Sequence, residues 1–222
     1  MKLSCTIRVV PDPVPVLVAN GRFRWTVELA ERAATATVLL AADGGANALA
    51  DIGLRPHAVI GDLDSIRSGV RRWLGEERMV PRPDQDRTDL DKALEYALEE
   101  RGLDGVTVLG ALGGRIDHAI GNLGLLAKLA MAGRLPFVGS DHRVVAVRER
   151  TELVAEPGET WSFWTFDPGV RVSLEGVCWP VTARPMDVGG RPSISNQAAA
   201  SSVVVEPAGG AVIAMRWFTP TS

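Results

Sequence analysis

The segment TVLLAADGGAN, residues 37–47, joins a short apolar run to a glycine-rich polar turn. The arrangement recurs at residues 57–65, where HAVI is followed by GDLDS, and again at residues 106–114. Short apolar runs that alternate with helical patterns are typical of parallel βαβ units. The sequence therefore predicts an α/β N-terminal domain with a mainly parallel sheet.

Apolar residues at helical spacing predict two helices in this part of the chain. The first covers residues 89–101 and ends at Gly102. It begins after Thr88, whose hydroxyl can accept a hydrogen bond from an amide of the first turn. The second covers residues 117–132 and ends at Gly133. Strands are predicted at residues 15–19, 37–42, 57–60, 106–109 and 136–138.

The chain changes character near residue 140. Beyond it, helical patterns are scarce, and Pro-Gly and Gly-Gly pairs separate runs rich in Val, Trp, Ser and Thr, which is typical of an all-β domain. We therefore expect two domains, residues 1–140 and residues 141–222. Strands are predicted in the second domain at residues 144–147, 160–166, 170–174, 202–205 and 211–216, and a polar loop is predicted at residues 193–197.

The composition is that of a globular protein and excludes a disordered or collagen-like chain. The 222 residues include 24 basic and 27 acidic side chains, giving a net charge of −3, so nucleic acid or an anionic membrane is not expected as a partner. No apolar run approaches the roughly 20 residues of a membrane span, and no signal-like apolar core is present, so we expect a cytoplasmic protein. Cys5 and Cys178 are expected to form neither a disulfide nor a zinc site.

Polar segments lie at the predicted ends of several strands. In parallel α/β sheets, ligands bind beyond the carboxyl ends of the strands, where amides at helix starts are exposed. We therefore expect these segments to meet at one edge of the sheet. They are residues 43–47, 61–65, 84–89 and 113–118.

Two carboxylates of the GDLDS segment, Asp62 and Asp64, fall on the same side of an extended backbone. They repel each other unless a cation lies between them, and Mg²⁺ is the hard ion that takes such oxygens together with phosphate. The alternative is that the segment merely caps a turn. Asp86, Asp89 and Asp117 at the same edge favour the metal interpretation.

Several residues are candidates for binding phosphate. Gly44 and Gly114 permit close approach of backbone to a ligand, and Arg115 can add a charge-assisted contact. Lys92 lies one helical turn after Asp89 and could reach a phosphate. Gly44 has an ordinary alternative, a tight turn, and Lys92 has another, a solvated surface side chain.

Other site types are excluded by their missing motifs. The sequence has no P-loop, no dinucleotide fingerprint and no serine hydrolase motif. His57, His118 and His142 do not have metal-ligand spacing, although His118 could touch a ligand beside Asp117. Trp161, Trp164, Trp179 and Trp217 are expected mostly in the core, with one or two free to stack on a flat heteroaromatic ligand.

Together these segments resemble the thiamine pyrophosphokinase family. The resemblance rests on five motifs in the family's order over nearly the full chain. They are DGGAN at 43–47, GDLDS at 61–65, DQDRTDLDKAL at 84–94, LGGRIDH at 112–118 and Ser195-Asn196.

The resemblance implies an N-terminal α/β domain that binds ATP and Mg²⁺ and a C-terminal β-sandwich domain that contributes to the thiamine site. It also implies a homodimer with active sites between its subunits. The implied reaction converts ATP and thiamine into AMP and thiamine diphosphate. Gly121 departs from the alanine that is common in the family at this position.

The resemblance also implies roles for individual residues. Asp62, Asp64 and Asp89 would bind Mg²⁺, while Asp43, Asp86 and Asp117 would support the site or orient the attacking hydroxyl. The expected ATP-binding residues, including those argued above from the pattern alone, are Gly44, Ser65, Gln85, Thr88, Lys92, Gly114, Arg115 and His118. The expected thiamine-binding residues are Ser195, Asn196 and Trp179.

The residues themselves leave other functions open. Aspartates at strand ends also suit a metal-dependent phosphohydrolase acting on a nucleotide or diphosphate, although the lack of histidine ligands weighs against it. A sensor that binds nucleotide or thiamine without turnover is a further alternative, for which so many carboxylates are unnecessary. The identity of any general base is not determined by the sequence.

Overall fold

The computed structural model describes residues 5–7, 14–130 and 135–218. Its contacts divide the described chain into two compact units. The first, here called the α/β unit, contains residues 14–122 and 137–140. The second, here called the β unit, contains the other described residues, including 141–218. The predicted domain boundary after residue 140 stays a prediction.

The described residues form fifteen short strands. The strands are β1 (Cys5–Ile7), β2 (Val16–Val18), β3 (Leu39–Ala42), β4 (Ala58–Gly61), β5 (Met79–Pro81), β6 (Thr107–Leu109), β7 (Phe137–Val138), β8 (His142–Val147), β9 (Thr151–Val154), β10 (Thr160–Trp164), β11 (Arg171–Glu175), β12 (Val181–Pro185), β13 (Ser193–Gln197), β14 (Ser202–Ala208) and β15 (Val212–Trp217).

Helices connect the strands of the first half. They are α1 (Val27–Ala34), α2 (Gly45–Asp51), α3 (Ser68–Leu74), a 3₁₀ turn (Glu76–Arg78), α4 (Asp89–Glu95), a π-helical turn (Tyr96–Glu100) and α5 (Ile116–Lys128). No helix of the described residues has both the length and the apolar character needed to cross a membrane.

Both predicted helices are present. The first is α4 continued by the π-helical turn, and the Thr88 hydroxyl accepts a hydrogen bond from the amide of Asp91 at 3.3 Å, as expected for its cap. The second is α5, which ends at Lys128. Its predicted last residue and Gly133 lie outside the described residues.

The α/β unit contains a parallel sheet with the strand order β7-β6-β2-β3-β4-β5. Its inner strands β2, β3 and β4 are buried throughout, which explains why they appear in the sequence as continuous apolar runs. Side chains of α1, α2 and α3 pack with one face of these strands, and α4 contacts β3 and β4. Strand β5, which is short and only partly buried, was not predicted.

The β unit is a sandwich of largely antiparallel strands, as the family resemblance implies. One sheet has the order β1-β9-β14-β11-β12, and in the other β10 lies between β13 and β15, with β8 beyond β15. Strands of both sheets contribute to one core, in which the rings of Trp161 and Phe163 stack at 5.9 Å between centroids.

One prediction for the β unit is wrong. Residues 193–197 form strand β13 and not a loop, because they pair with β10 at the edge of a sheet. An edge strand with one face exposed to solvent tolerates the polar composition SISNQ. Because the segment lacks alternating apolar residues, its sequence did not predict a strand. The segments predicted at 160–166 and 211–216 do form strands, β10 and β15.

Candidate functional site

A cluster of three carboxylates lies at the carboxyl edge of the parallel sheet. Asp43 directly follows β3, and Asp62 and Asp64 follow β4, its neighbour in the sheet. Each of the three can offer an oxygen, and these oxygens lie within 4.8 Å of one another. Oxygen donors at this separation are suited to a hard divalent cation. We call this group the carboxylate cluster.

Asp43 is the buried member of the cluster, with 1% of its surface exposed. Its backbone has a φ of 42°, and its Oδ1 accepts a hydrogen bond from the amide of Ser65 at 3.3 Å. Burial raises the pKa of Asp43 above its ordinary value, and the charge of Asp89 acts in the same direction. A cation at this position would relieve both effects.

Gly61 allows the carboxylates to approach one another. Its φ is 151°, and a Cβ built there would lie 2.9 Å from Cβ of Asp43 and 2.9 Å from Oδ1 of Asp89. Any larger residue would therefore separate the end of β3 from the start of α4.

Asp62 is held in its charged form by hydrogen bonds. Gln85 donates from Nε2 to its Oδ2 at 3.3 Å, and the amide of Asp64 donates to its Oδ1 at 3.3 Å. Both bonds lower the pKa of Asp62, and the bond from Gln85 has the larger effect. Ser65 in turn donates from Oγ to Oδ1 of Asp64 at 2.9 Å.

Lys92 contacts Asp89. The Lys92 side chain is 2% exposed, and its Nζ lies 3.1 Å from Oδ1 of Asp89. The same oxygen accepts the amide of Asp62 at 3.3 Å, so the other oxygen of Asp89 is the one left for a ligand. Lys92 thus supplies a buried positive charge next to the carboxylate cluster, and it is not among the residues that line the cavity described next.

A cavity of about 660 Å³ lies at the same edge of the sheet, within the α/β unit. It is lined by polar side chains and by the glycine-rich segment after β6. Of the predicted site residues, the structure places in its wall Asp43, Ser65, Gln85, Asp86, Thr88, Asp89, Gly114, Arg115 and His118. The predicted residues outside this wall are Gly44, Asp62, Asp64, Lys92 and Asp117 in the α/β unit, and Trp179, Ser195 and Asn196 in the β unit.

Asp117 pairs with Arg115. The guanidinium donates from Nε to Oδ1 of Asp117 at 3.1 Å and through a second nitrogen to Oδ2, and both side chains are exposed. This pairing lowers the pKa of Asp117 to about 2. Asp117 is consequently a weak proton acceptor in this arrangement.

Part of the cavity wall was not predicted from the sequence. Asn20, Gly21 and Arg22 line it from the turn after β2. The signal was a polar turn directly after a predicted strand, the same pattern as in the four segments that were recognised. Asn122 also lines the cavity and donates from Nδ2 to the carbonyl of Ala111 at 2.7 Å, which ties α5 to the segment after β6.

The predicted thiamine-binding residues lie together in the β unit. Asn196 is 1% exposed, accepts the amide of Trp179 at 3.2 Å and donates from Nδ2 to the carbonyl of Trp179 at 3.0 Å. Its carboxamide therefore fixes the backbone of Trp179, a residue that is itself 60% exposed. Ser195 is exposed, with a φ of 56°.

A parallel sheet with a carboxylate cluster, glycine-rich turns and a polar cavity at its carboxyl edge defines an α/β protein whose site can take a divalent cation and phosphate groups. Comparison with known proteins narrows this class. Residues 29–136 match the sequence model of the family described as thiamin pyrophosphokinase, catalytic domain. Thiamine pyrophosphokinase 3 of Oryza sativa subsp. japonica is 30% identical over 222 residues, covering 86% of this chain and 81% of that protein. The chain belongs to the thiamine pyrophosphokinase family.

Bacterial relatives match in sequence and in structure. The thiamine pyrophosphokinase of Bacillus subtilis (strain 168) is 36% identical over 117 residues, which cover 50% of this chain and 53% of that protein. The aligned segment thus spans about half the length of that relative. A crystal structure of thiamine pyrophosphokinase from Bacillus subtilis matches with a TM-score of 0.78 and 26% identity, covering 93% of this chain and 99% of the other.

Proposed function

We propose that this protein is a thiamine diphosphokinase, which transfers the pyrophosphoryl group of ATP to the hydroxyl of thiamine and releases AMP and thiamine diphosphate. The observation that carries the proposal is the carboxylate cluster beside a polar cavity at the carboxyl edge of the sheet. Membership of the thiamine pyrophosphokinase family supports the choice of substrates.

We propose Mg²⁺ as the cofactor, because the donor set fits it. The candidate ligands are Asp62, Asp64 and the oxygen of Asp89 that Lys92 leaves free, with Asp43 completing the carboxylate cluster. All are hard oxygen donors, and the raised pKa of buried Asp43 indicates a group that gains from a nearby cation. When bound, Mg²⁺ would neutralise charge that develops on the phosphate oxygens.

In the proposed transfer, the hydroxyl oxygen of thiamine forms a bond to the β-phosphorus of ATP. The bond from that phosphorus to the oxygen bridging to the α-phosphorus breaks, and the electron pair leaves with AMP. The hydroxyl loses its proton to a base or to water in the same transfer. The residues of the cavity contribute mainly by holding the phosphates in line and by placing charge around them. Asp117 is disfavoured as acceptor of the hydroxyl proton, because its pKa is about 2 beside Arg115.

The remaining parts of the proposal rest on the resemblance to the family. Ser195 and Trp179 would contact thiamine, and Asn196 would hold the Trp179 backbone in place. The protein would act in the cytoplasm as a homodimer with active sites between its subunits. No observation in the described residues favours a phosphohydrolase or a sensor over the kinase.

An assay for AMP tests the proposed function. With MgATP present, AMP should form in proportion to added thiamine, and Asp64→Asn should lower kcat at least about 100-fold through loss of charge stabilisation. Asp91→Asn is the matched control, since Asp91 lies in the first turn of α4 and belongs neither to the carboxylate cluster nor to the cavity wall, and it should retain most activity.

Other products would contradict the proposal. Formation of ADP in place of AMP would show that the protein is a different phosphotransferase. Release of phosphate without any need for thiamine would show that it is a hydrolase. Near-normal activity of Asp64→Asn would show that Asp64 is not a metal ligand.

A further inference from the structure

The wall of the cavity contains three arginines, and two of them are already paired. Arg87 donates from Nε to Asp84 at 2.9 Å and from Nη1 to Glu95 at 2.8 Å. Arg115 is paired with Asp117. Lys92 is also occupied, since it is buried against Asp89 and does not line the cavity.

Arg22 is the third arginine of the wall. Within residues 14–130 and 135–218, its guanidinium has no acidic partner and no side-chain hydrogen bond. It is exposed at the cavity, so its charge is available to a ligand at little cost in broken contacts.

The backbone that carries Arg22 is fixed on the cavity wall. Gly21 donates to the carbonyl of Gly110 at 3.0 Å, and the amide of Arg22 donates to the carbonyl of Gly113 at 3.1 Å. A Cβ at Gly113 would lie 1.6 Å from the carbonyl oxygen of Arg22, so only glycine permits this contact. The stem of Arg22 lies over Gly114, with its Cγ 3.6 Å from the Cβ position there.

A polyphosphate in this cavity needs a positively charged side chain in addition to the metal ion. Asp43, Asp86 and Asp89 line the wall and repel phosphate oxygens, and the nearby arginines are already neutralised by their partners. A planar guanidinium presents paired donors suited to phosphate oxygens. Arg22 supplies this group beside the backbone of Gly113 and Gly114.

We propose that Arg22 binds the phosphate groups of the nucleotide, a role that rests on the proposed use of ATP at this site. It would complement the carboxylate cluster, whose oxygens would hold the metal ion. The turn after β2 is thereby part of the nucleotide site, together with the segments after β3, β4 and β6.

Nucleotide binding in the absence of thiamine tests this role. Arg22→Met should weaken binding of MgATP by about 10–100-fold in calorimetry, the range expected for loss of a charge-assisted contact. Arg22→Lys should retain part of the affinity. Arg24→Met is the matched control, because Arg24 is exposed two residues further on and does not line the cavity, and it should bind MgATP within about twofold of wild type.

Adenosine separates a phosphate contact from a structural effect. Its affinity, measured by ligand-observed NMR, should be the same for Arg22→Met and wild type, since it has no phosphate. Unchanged MgATP binding by Arg22→Met, or an equal loss for adenosine, would overturn the role of Arg22. A wild-type protein that binds MgATP but forms no AMP with thiamine would contradict the proposed function. The role of Arg22 would still be decided by comparing MgATP binding of wild type and Arg22→Met.

Discussion

At the scale of single residues, the negative charge of Asp43 is unfavourable in the folded protein when no metal ion is bound. It is buried after β3, near Asp89, and burial raises its pKa. A carboxyl with a raised pKa in the folded state binds its proton more tightly there than in the unfolded chain. Stability therefore falls as pH rises from the ordinary pKa of Asp43 to its raised pKa in the folded protein, because the folded protein must then hold a buried charge. Above the raised pKa the loss is complete and constant.

Asp43→Asn should therefore raise the stability of the metal-free protein at pH 7 by on the order of 1 kcal/mol, or about 2–4 °C in Tm, while lowering activity. Asn keeps the oxygen that accepts the amide of Ser65. The gain should disappear below about pH 4, where Asp43 is protonated in both states. Thermal unfolding in EDTA between pH 3 and pH 8 measures this.

Added Mg²⁺ provides the complementary measurement. It should raise the Tm of wild type more than that of Asp43→Asn, because only the wild type has the full carboxylate cluster. Asp91→Asn is again the control and should give no stabilisation, since Asp91 lies favourably in the first turn of α4. A less stable Asp43→Asn protein at neutral pH would show that the Asp43 charge is already compensated without metal.

At the scale of secondary-structure elements, glycines serve opposite purposes in α5 and in the turn before it. Gly121 lies within α5, and a Cβ there would meet none of the described residues within 4 Å. Gly113, in contrast, is required for the contact with Arg22. Gly121 thus weakens its helix with no packing reason among the described residues.

Gly121→Ala should stabilise the protein by up to about 1 kcal/mol, because alanine loses less backbone entropy in a helix. Chemical denaturation measures the change. Gly113→Ala should have the opposite sign, since its Cβ would collide with the backbone of Arg22. Equal effects of the two substitutions would contradict this distinction.

At the scale of the whole molecule, the exposed apolar residues of α5 bear on assembly. Ile116 and Ile120 are one turn apart, with 77% and 57% of their surfaces exposed. Large apolar side chains on one helical face are more readily explained by an interface than by contact with water. They support the proposed homodimer.

Sedimentation equilibrium should give the mass of two 23.7 kDa chains. Replacing both Ile116 and Ile120 by Asp should shift the protein towards monomer, because the substitution buries charge at the interface. Val27→Asp is the control, since Val27 is 76% exposed on α1, and it should leave the mass unchanged. A wild-type monomer at all concentrations would contradict the homodimer, whereas a dimer that persists in the double variant would locate the interface elsewhere.

The local pattern of the sequence was sufficient to predict the strands and the helix that surround the site. Buried strands such as β3 and β4 are continuous apolar runs, and Thr88 marks the start of α4, because burial and capping leave signals within a few neighbouring residues. The polar turns after these strands likewise indicated the edge of the sheet at which the cavity lies.

The amino-acid sequence by itself thus determined an α/β fold with acidic and glycine-rich turns at one edge, and motifs typical of one family. Only the tertiary structure decided that β13 is a strand and that Lys92 is buried against Asp89. It also decided that Arg22 lines the cavity without an acidic partner among the described residues. The physical reason is that pairing, burial and free charge depend on contacts between distant parts of the chain. Arg22 and Gly113 are an example, since their backbones meet across 91 positions of sequence.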